Sequence, residues 1–155
     1  MSTISSYLTY HVGKEVFATD VKFIKNIIEQ CKITEVPHMP KHILGVMNLR
    51  GDVIPVVDSR IKLGLTATSA TINTCIIVLE LTIEGKETKV GMLVDEVSEV
   101  MEIDESTLQE APTVGSGQKS GIINKVFPLG DKFIMLLDIH KVIASSEILS
   151  LLEAL

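Results

Sequence analysis

The stretch GVMNLRGDVIPVVDSR, residues 45–60, decides how this chain is read. Its flanks are aliphatic and β-branched, the composition of strands packed on a sheet. Between them stands Arg50-Gly51-Asp52. Glycine accepts a positive φ at no steric cost, so Gly51-Asp52 predicts a tight turn joining two strands into a hairpin. Arg50 then lies at a strand end, near the surface. On these residues alone two roles stay open. Arg50 is either solvated or paired with a local carboxylate to close the hairpin, or it meets a partner. Arginine is enriched at binding hot spots because its planar fork directs several hydrogen bonds while its stem packs on apolar surface.

The same texture continues outward. YLTYHV, VFATDV, TCIIVLELTI, TKVGMLVD, VSEVMEI, GIINKVF and KFIMLLD are short apolar runs. Gly13-Lys14, Glu84-Gly85-Lys86 and Gly130-Asp131 supply turn signals between them. Many short strands with tight turns indicate a sandwich or barrel. A chain of 155 residues fits one domain or two fused lobes. It is 46% hydrophobic, 4% aromatic and free of Trp, so the core is aliphatic. Helices are few. DVKFIKNIIEQ predicts a helix over 20–30, with Val21, Ile24, Ile27 and Ile28 on one face and Asp20 as N-cap. SSEILSLLEAL predicts another over 145–155, with Ile148, Leu151, Leu152 and Leu155 on one stripe and Ser146 as cap.

An internal echo accompanies these elements. Gly45-Val46-Met47-Asn48, Gly51-Asp52, Val57-Asp58 and Arg60-Ile61 reappear as Gly121-Ile122-Ile123-Asn124, Gly130-Asp131, Leu137-Asp138 and His140-Lys141. A repeated strand-turn-strand-helix unit predicts two similar lobes. The stretch SATIN, near residue 70, is the expected crossing between them, and 112–121 is a second loop.

The net charge is −6, yet residues 80–110 hold ten carboxylates against two lysines, a local charge of −8. That distribution argues against nucleic acid and against anionic membrane surfaces, which both require clustered Lys and Arg. Only Cys31 and Cys75 are present, with no CxxC pattern, which suits a reducing compartment. The start MSTISSYLTY has no basic segment followed by an apolar core, and no apolar run approaches the ~20 residues that span a bilayer. A cytoplasmic protein is expected.

Candidate chemistry is sparse. Asp58, Asp95 and Asp138 end apolar runs, and Asp58 and Asp138 precede short helix-like segments, where a carboxylate caps free backbone N–H groups. His38 and His42 have the i, i+4 spacing of paired zinc ligands, but Pro37 and Pro40 oppose a helix there and no further ligands follow. GSGQKS, residues 115–120, lacks the glycine before lysine and the following helix of a phosphate loop. Arg50-Gly51-Asp52 spells an adhesion tripeptide in a chain without extracellular cysteine usage. No nucleophile-base pair and no dinucleotide loop is present, so no enzymatic activity, cofactor or metal is expected.

The residues from Ile33 to Leu65 resemble the CheW family of chemotaxis coupling proteins. The resemblance rests on a Pro-containing loop, then G-x-x-N-L-R-G, an apolar strand with Pro, and D-x-R before a short helix. Gly45, Asn48, Leu49, Arg50, Gly51, Pro55, Asp58 and Arg60 fill that pattern. It continues through CIIVLEL, VGMLVDEVSEVMEI and GIINKV…FIMLLDIHKVI, covering about Tyr7 to Ile143. The resemblance implies a mainly β fold of two packed five-stranded SH3-like barrels with a few short helices. It implies a non-catalytic adaptor that binds the regulatory domain of the histidine kinase CheA and the cytoplasmic tip of methyl-accepting chemoreceptors, and helps to build arrays. The alternative is a CheW-like scaffold in a two-component pathway outside chemotaxis. The receptor contact implied by the family is Arg50 together with Ile24, Asn26, Cys75, Gly91 and Val97 along a groove between the lobes. Many members carry Glu where this chain has Asn26, and that Glu can pair with the arginine of the motif. Ser59 replaces a usual Leu between Asp58 and Arg60.

Overall fold

The computed structural model describes residues 3–29, 32–65, 71–110, 122–143 and 145–153, with the side chains of 145 and 146 left aside. Residues 45–60 form the expected hairpin. β4 (Ile43–Leu49) and β5 (Asp52–Asp58) pair antiparallel, with Val46 opposite Pro55 and Leu49 opposite Asp52. The turn lies one residue earlier than the sequence indicates, at Arg50-Gly51, because φ is positive at both, 54° and 90°. Asp52 is already the first residue of the returning strand.

Two mixed sheets make up the molecule. Preceding the hairpin are β1 (Ile4–Val12), β2 (Glu15–Asp20) and β3 (Ile24–Glu29); following it are α1 (Ser59–Lys62), β6 (Cys75–Ile83), β7 (Lys86–Val94) and β8 (Glu96–Asp104). The chain ends through β9 (Gln109–Glu110), β10 (Ile123–Leu129), β11 (Lys132–Leu137), α2 (Ile139–Val142) and α3 (Ser145–Glu153). The first sheet has the order β8-β1-β2-β11-β10-β9, the second β3-β6-β7-β5-β4. Each contains one parallel pair, β2 with β11 and β5 with β7. Leaving aside the two-residue β9, the sheets have five strands each in equivalent positions.

The echo in the sequence maps onto this equivalence, but the repeats are interlocked. The first repeat places the β1-β2 hairpin in the first sheet and β3, β4 and β5 in the second. The second repeat places β6-β7 in the second sheet and β8 to β11 in the first. The chain therefore changes sheet at the 3-10 turn Val21–Phe23 and again at Asp95. The crossing expected near residue 70 falls in sequence between the first repeat, which ends with β5 and α1, and the second, which starts with β6; β5 and β6 belong to the same sheet, so the repeats do not coincide with the sheets. Residues 66–70 and the loop 112–121 lie outside the described residues; Thr71 to Thr74 form a local turn closed by side-chain oxygens.

Residues 20–30 are the second correction. Asp20 does accept a hydrogen bond from Lys22 N, but it caps only the 3-10 turn, after which β3 pairs with β6. A β-bulge between Ile24 and Asn26 explains the misleading period. It lets Ile24 pack on one face of the sheet and Ile28 on the other, so strict alternation is lost. At the other end, Ser146 lies inside α3 and not before it; Ile148 and Leu151 are buried, and Leu155 falls outside the described residues.

Three cores hold the sheets. The largest lies between them and takes Leu8, Tyr10 and Phe17 from the first sheet and Ile77, Leu79 and Met92 from the second, covered by α2 and α3. Met47, Ile54, Val56, Ile76, Val78 and Leu93 pack on the opposite face of the second sheet. Tyr7, Ala18, Ile103, Ile134 and Leu136 do so on the first. A strand buried on both faces reads as a continuous apolar run, which accounts for CIIVL in β6.

Candidate partner-binding site

The G-x-x-N-L-R-G block is a device for one turn and one close approach. At Gly45, φ is 142°, and a Cβ there would lie 2.0 Å from the Thr34 carbonyl oxygen. Only glycine permits the bridge in which Thr34 and Val46 exchange N–H···O bonds of 2.8 and 2.9 Å. Asn48 Oδ1 accepts the Gly51 N–H at 2.9 Å, Leu49 packs half-buried against the second-sheet core, and Pro55 is buried inside β5.

Arg50 is the residue the turn does not need. A two-residue turn with positive φ at both positions favours Asn or Gly first. An arginine in this left-handed conformation costs about 1 kcal/mol. Its side chain is exposed, and among the described residues neither an ion pair nor a hydrogen bond engages it. Neighbouring Asp52 is bonded to Lys89 Nζ at 3.2 Å. Local stability gives no reason for arginine here.

Arg60, by contrast, is 5% exposed. Its Nε and Nη2 donate to the two oxygens of Asp58 at 3.0 and 3.1 Å, and Nη1 donates to Asp95 Oδ1 at 3.2 Å. Asp58 Oδ1 also accepts the Arg60 N–H, capping α1. The bonds it donates to Asp58 hold the guanidinium above its ordinary pKa against the opposing pull of burial, with the charges of Asp58 and Asp95 adding to them. Asp95 Oδ2 accepts the Gly13 N–H of the β1-β2 turn at 2.7 Å, so the network reaches both sheets. Ser59, at the position of the usual Leu, donates its hydroxyl to the buried Leu93 carbonyl. Asp138 stands before α2 as Asp58 stands before α1, but makes no cap bond.

The other expected site residues divide. Ile24 on β3 and Val97 on β8 are half-buried against the intersheet core. Cys75 is buried, 7% exposed, and its thiol pKa is pushed up by burial despite a bond to the Val97 backbone. Cys75 and Val97 are thus in contact. Asn26 is exposed on edge strand β3, and no hydrogen bond joins it to Arg50 among the described residues. Gly91 is buried on β7, and a Cβ there would come within 2.8 Å of Ile76 Cγ2 and 3.2 Å of Met47 Cε. Register places Arg50 at the end of the second sheet marked by the β6-β7 turn and Cys75 at the opposite end, opposite Val94. The set is spread over the length of the second sheet and the start of β8, with Ile24, Asn26, Arg50 and Val97 at least partly exposed and Cys75 and Gly91 buried.

Of the two histidines at zinc-ligand spacing, His42 is tied into the fold and, among the described residues, His38 is not. His42 Nε2 lies 2.7 Å from Glu147 Oε1, which ties the loop before β4 to α3, and Lys62 adds a second contact to that carboxylate at 3.8 Å. His38 sits apart in a turn of the Pro-rich loop at φ 62°. Among the described residues no group of three or more His, Cys, Asp or Glu side chains is arranged to hold a metal.

The CheW-like domain family model matches residues 6–147. The chain belongs to the CheW-like family. It is 31% identical to the chemotaxis protein CheW of Rhizobium meliloti, over 90% of this chain and 88% of that one. It is 33% identical to the chemotaxis protein CheW of Thermotoga maritima, over 88% and 85% of the two chains. The crystal structure of the scaffolding protein TtCheW from Thermoanaerobacter tengcongensis superposes with a TM-score of 0.79 at 26% identity, covering 92% of this chain and 94% of that one. In CheW-like terms, G-x-x-N-L-R-G builds the turn that presents Arg50, and D-x-R builds a buried joint. Sequence reasoning missed the joint: the D-x-R pair was visible, but its second acid, Asp95, lies 35 residues further on.

Proposed function

We propose that this CheW-like chain is a non-catalytic chemotaxis adaptor. It binds the regulatory domain of the histidine kinase CheA and the cytoplasmic tip of methyl-accepting chemoreceptors, and so places kinase activity under receptor control within arrays. The protein works in the cytoplasm beneath the membrane; among the described residues no helix is long and apolar enough to cross it. The observation that carries this reading is Arg50, exposed and unengaged in a backbone conformation that favours other residues. A strained residue without a local role is the kind retained for a partner. Ile24, Asn26, Cys75 and Val97 supply the remainder of the receptor surface, with Gly91 acting from beneath through packing. An amphipathic receptor helix laid along apolar positions fits this surface.

The test is reconstitution. Receptor-bearing membranes and CheA from the same cell are combined with and without this chain, and kinase autophosphorylation is followed with and without attractant. Attractant-sensitive stimulation that requires the chain is expected. Binding to a kinase without any receptor response would place the scaffold in a different two-component pathway, and no binding to either would end the adaptor reading.

A further inference from the structure

The two repeats secure their sheet crossings by different means. At the second crossing, between β7 and β8, Arg60 is held by both Asp58 and Asp95. Asp95 is itself the crossing residue. Its carboxylate accepts the Gly13 N–H at 2.7 Å, and its own N–H donates to the His11 carbonyl at 3.0 Å. Two residues later comes Val97, whose backbone meets the Cys75 thiol. At the first crossing the matching residues of the other repeat are Asp138 and His140. Asp138 makes no cap bond, and exposed His140 meets Phe23 edge to face, ring centroids 5.4 Å apart at 85°. Lys22 lies over the same ring at 5.1 Å. The charged contacts described at this crossing are exposed or half-exposed pairs, Lys22 with Asp20 at 4.0 Å and Lys25 with Glu80 at 3.3 Å, and among the described residues no buried arginine joins two carboxylates there.

A buried arginine between two carboxylates is a weak source of stability, since desolvation offsets much of the Coulomb gain. What it supplies is fixed geometry, through directed donors in a rigid fork. That geometry is placed where the chain leaves one sheet for the other, two residues before a candidate contact.

We propose that Arg60 and Asp95 are positioning residues: they lock the second crossing and set the Cys75–Val97 edge of the partner surface. The first crossing, which leads directly into Ile24 and Asn26, is left as the side that adjusts when a partner docks. The inference rests on the reading of these residues as receptor contacts. It adds that the two edges of that surface differ in rigidity.

Backbone amide hydrogen exchange on the full chain tests it, with Asp95→Asn and Arg60→Lys beside the unaltered protein and with a receptor-tip fragment or the CheA regulatory domain added. Amides of 21–29 are expected to exchange about tenfold faster than those of 96–101, and to gain protection with the receptor fragment. Asp95→Asn should accelerate 96–101 while leaving 43–54 unchanged, and should weaken the receptor fragment severalfold but not the kinase domain. If Asp95→Asn unfolds the chain, Arg60→Lys, which keeps the charge and loses the fork, carries the same comparison. Equal protection at the two crossings, or faster exchange at 96–101 with unaltered receptor affinity, overturns the proposal. Should the unaltered protein bind no receptor fragment, the functional reading fails, while the exchange comparison still decides whether the second crossing is locked.

Discussion

Arg50 and Arg60 belong to one quoted stretch and have opposite fates. Arg50 is exposed at a turn, whereas Arg60 is buried between two acids. The turn itself was legible, since Gly51 between two apolar runs has few other uses. Its register was not, because either neighbour of Gly51 can share the turn until strand pairing decides. The fate of Arg60 was not legible either: Asp95 is remote in sequence, and only the interlocked fold brings it within hydrogen-bond distance. At Arg50 the backbone conformation yields a prediction of unusual sign. Arg50→Asn relieves the left-handed turn and should stabilise the fold by up to about 1 kcal/mol, while abolishing receptor-dependent kinase control. Urea unfolding and the reconstituted assay measure the two effects separately. A loss of stability would show that Arg50 holds the hairpin.

At the scale of elements, β3 teaches most. Val21, Ile24, Ile27 and Ile28 have helical spacing, yet the three isoleucines are β-branched and the bulge after Ile24 distributes them over both faces of a sheet. Period alone could not separate these readings, because a bulged strand mimics a helix over so short a span. β5 was the opposite case, since VIPVV can be little else than a buried strand. Val56 is fully buried among Met47, Ile54 and Val78. Val56→Asp would place a charge there without a partner and should cost at least about 3 kcal/mol, a large share of a small domain's stability. Circular dichroism melting checks this; a melting temperature near that of the unaltered protein would mean the core is far looser than its burial implies.

For the whole molecule, two similar lobes were legible from the echo, but not their exchange of strands. A repeat in sequence order does not say which sheet receives which half. The swap means that each sheet contains strands from both repeats, so the lobes are expected to unfold together. Their pH response follows from buried protonated groups. Burial pushes up the pKa of the fully buried Tyr10 well past the usual tyrosine range, with the Thr19 hydroxyl pulling weakly the other way. Burial, aided by the charges of Glu105 and Asp20, raises Tyr7, and burial raises Cys75. A group whose folded pKa exceeds its unfolded one contributes stability that is complete below the unfolded value and is lost as pH rises toward the folded one. Unfolded Cys and Tyr titrate at about 8.5 and about 10. The contribution of these groups should therefore hold constant up to about pH 8.5, fall beyond it through Cys75, and fall more steeply past about pH 10 through the tyrosines. Denaturant midpoints between neutral pH and about pH 11 would show this, and Tyr10→Phe should flatten the upper portion.

The adaptor account is tested most directly by calorimetric titration of the chain with the regulatory domain of its own CheA and, separately, with a receptor-tip fragment, each repeated with Arg50→Ala. The account predicts that both partners bind reversibly, with about 8 kcal/mol for a micromolar complex, and that the substitution weakens only the receptor titration. Two silent titrations, or a receptor affinity indifferent to Arg50→Ala, would contradict it.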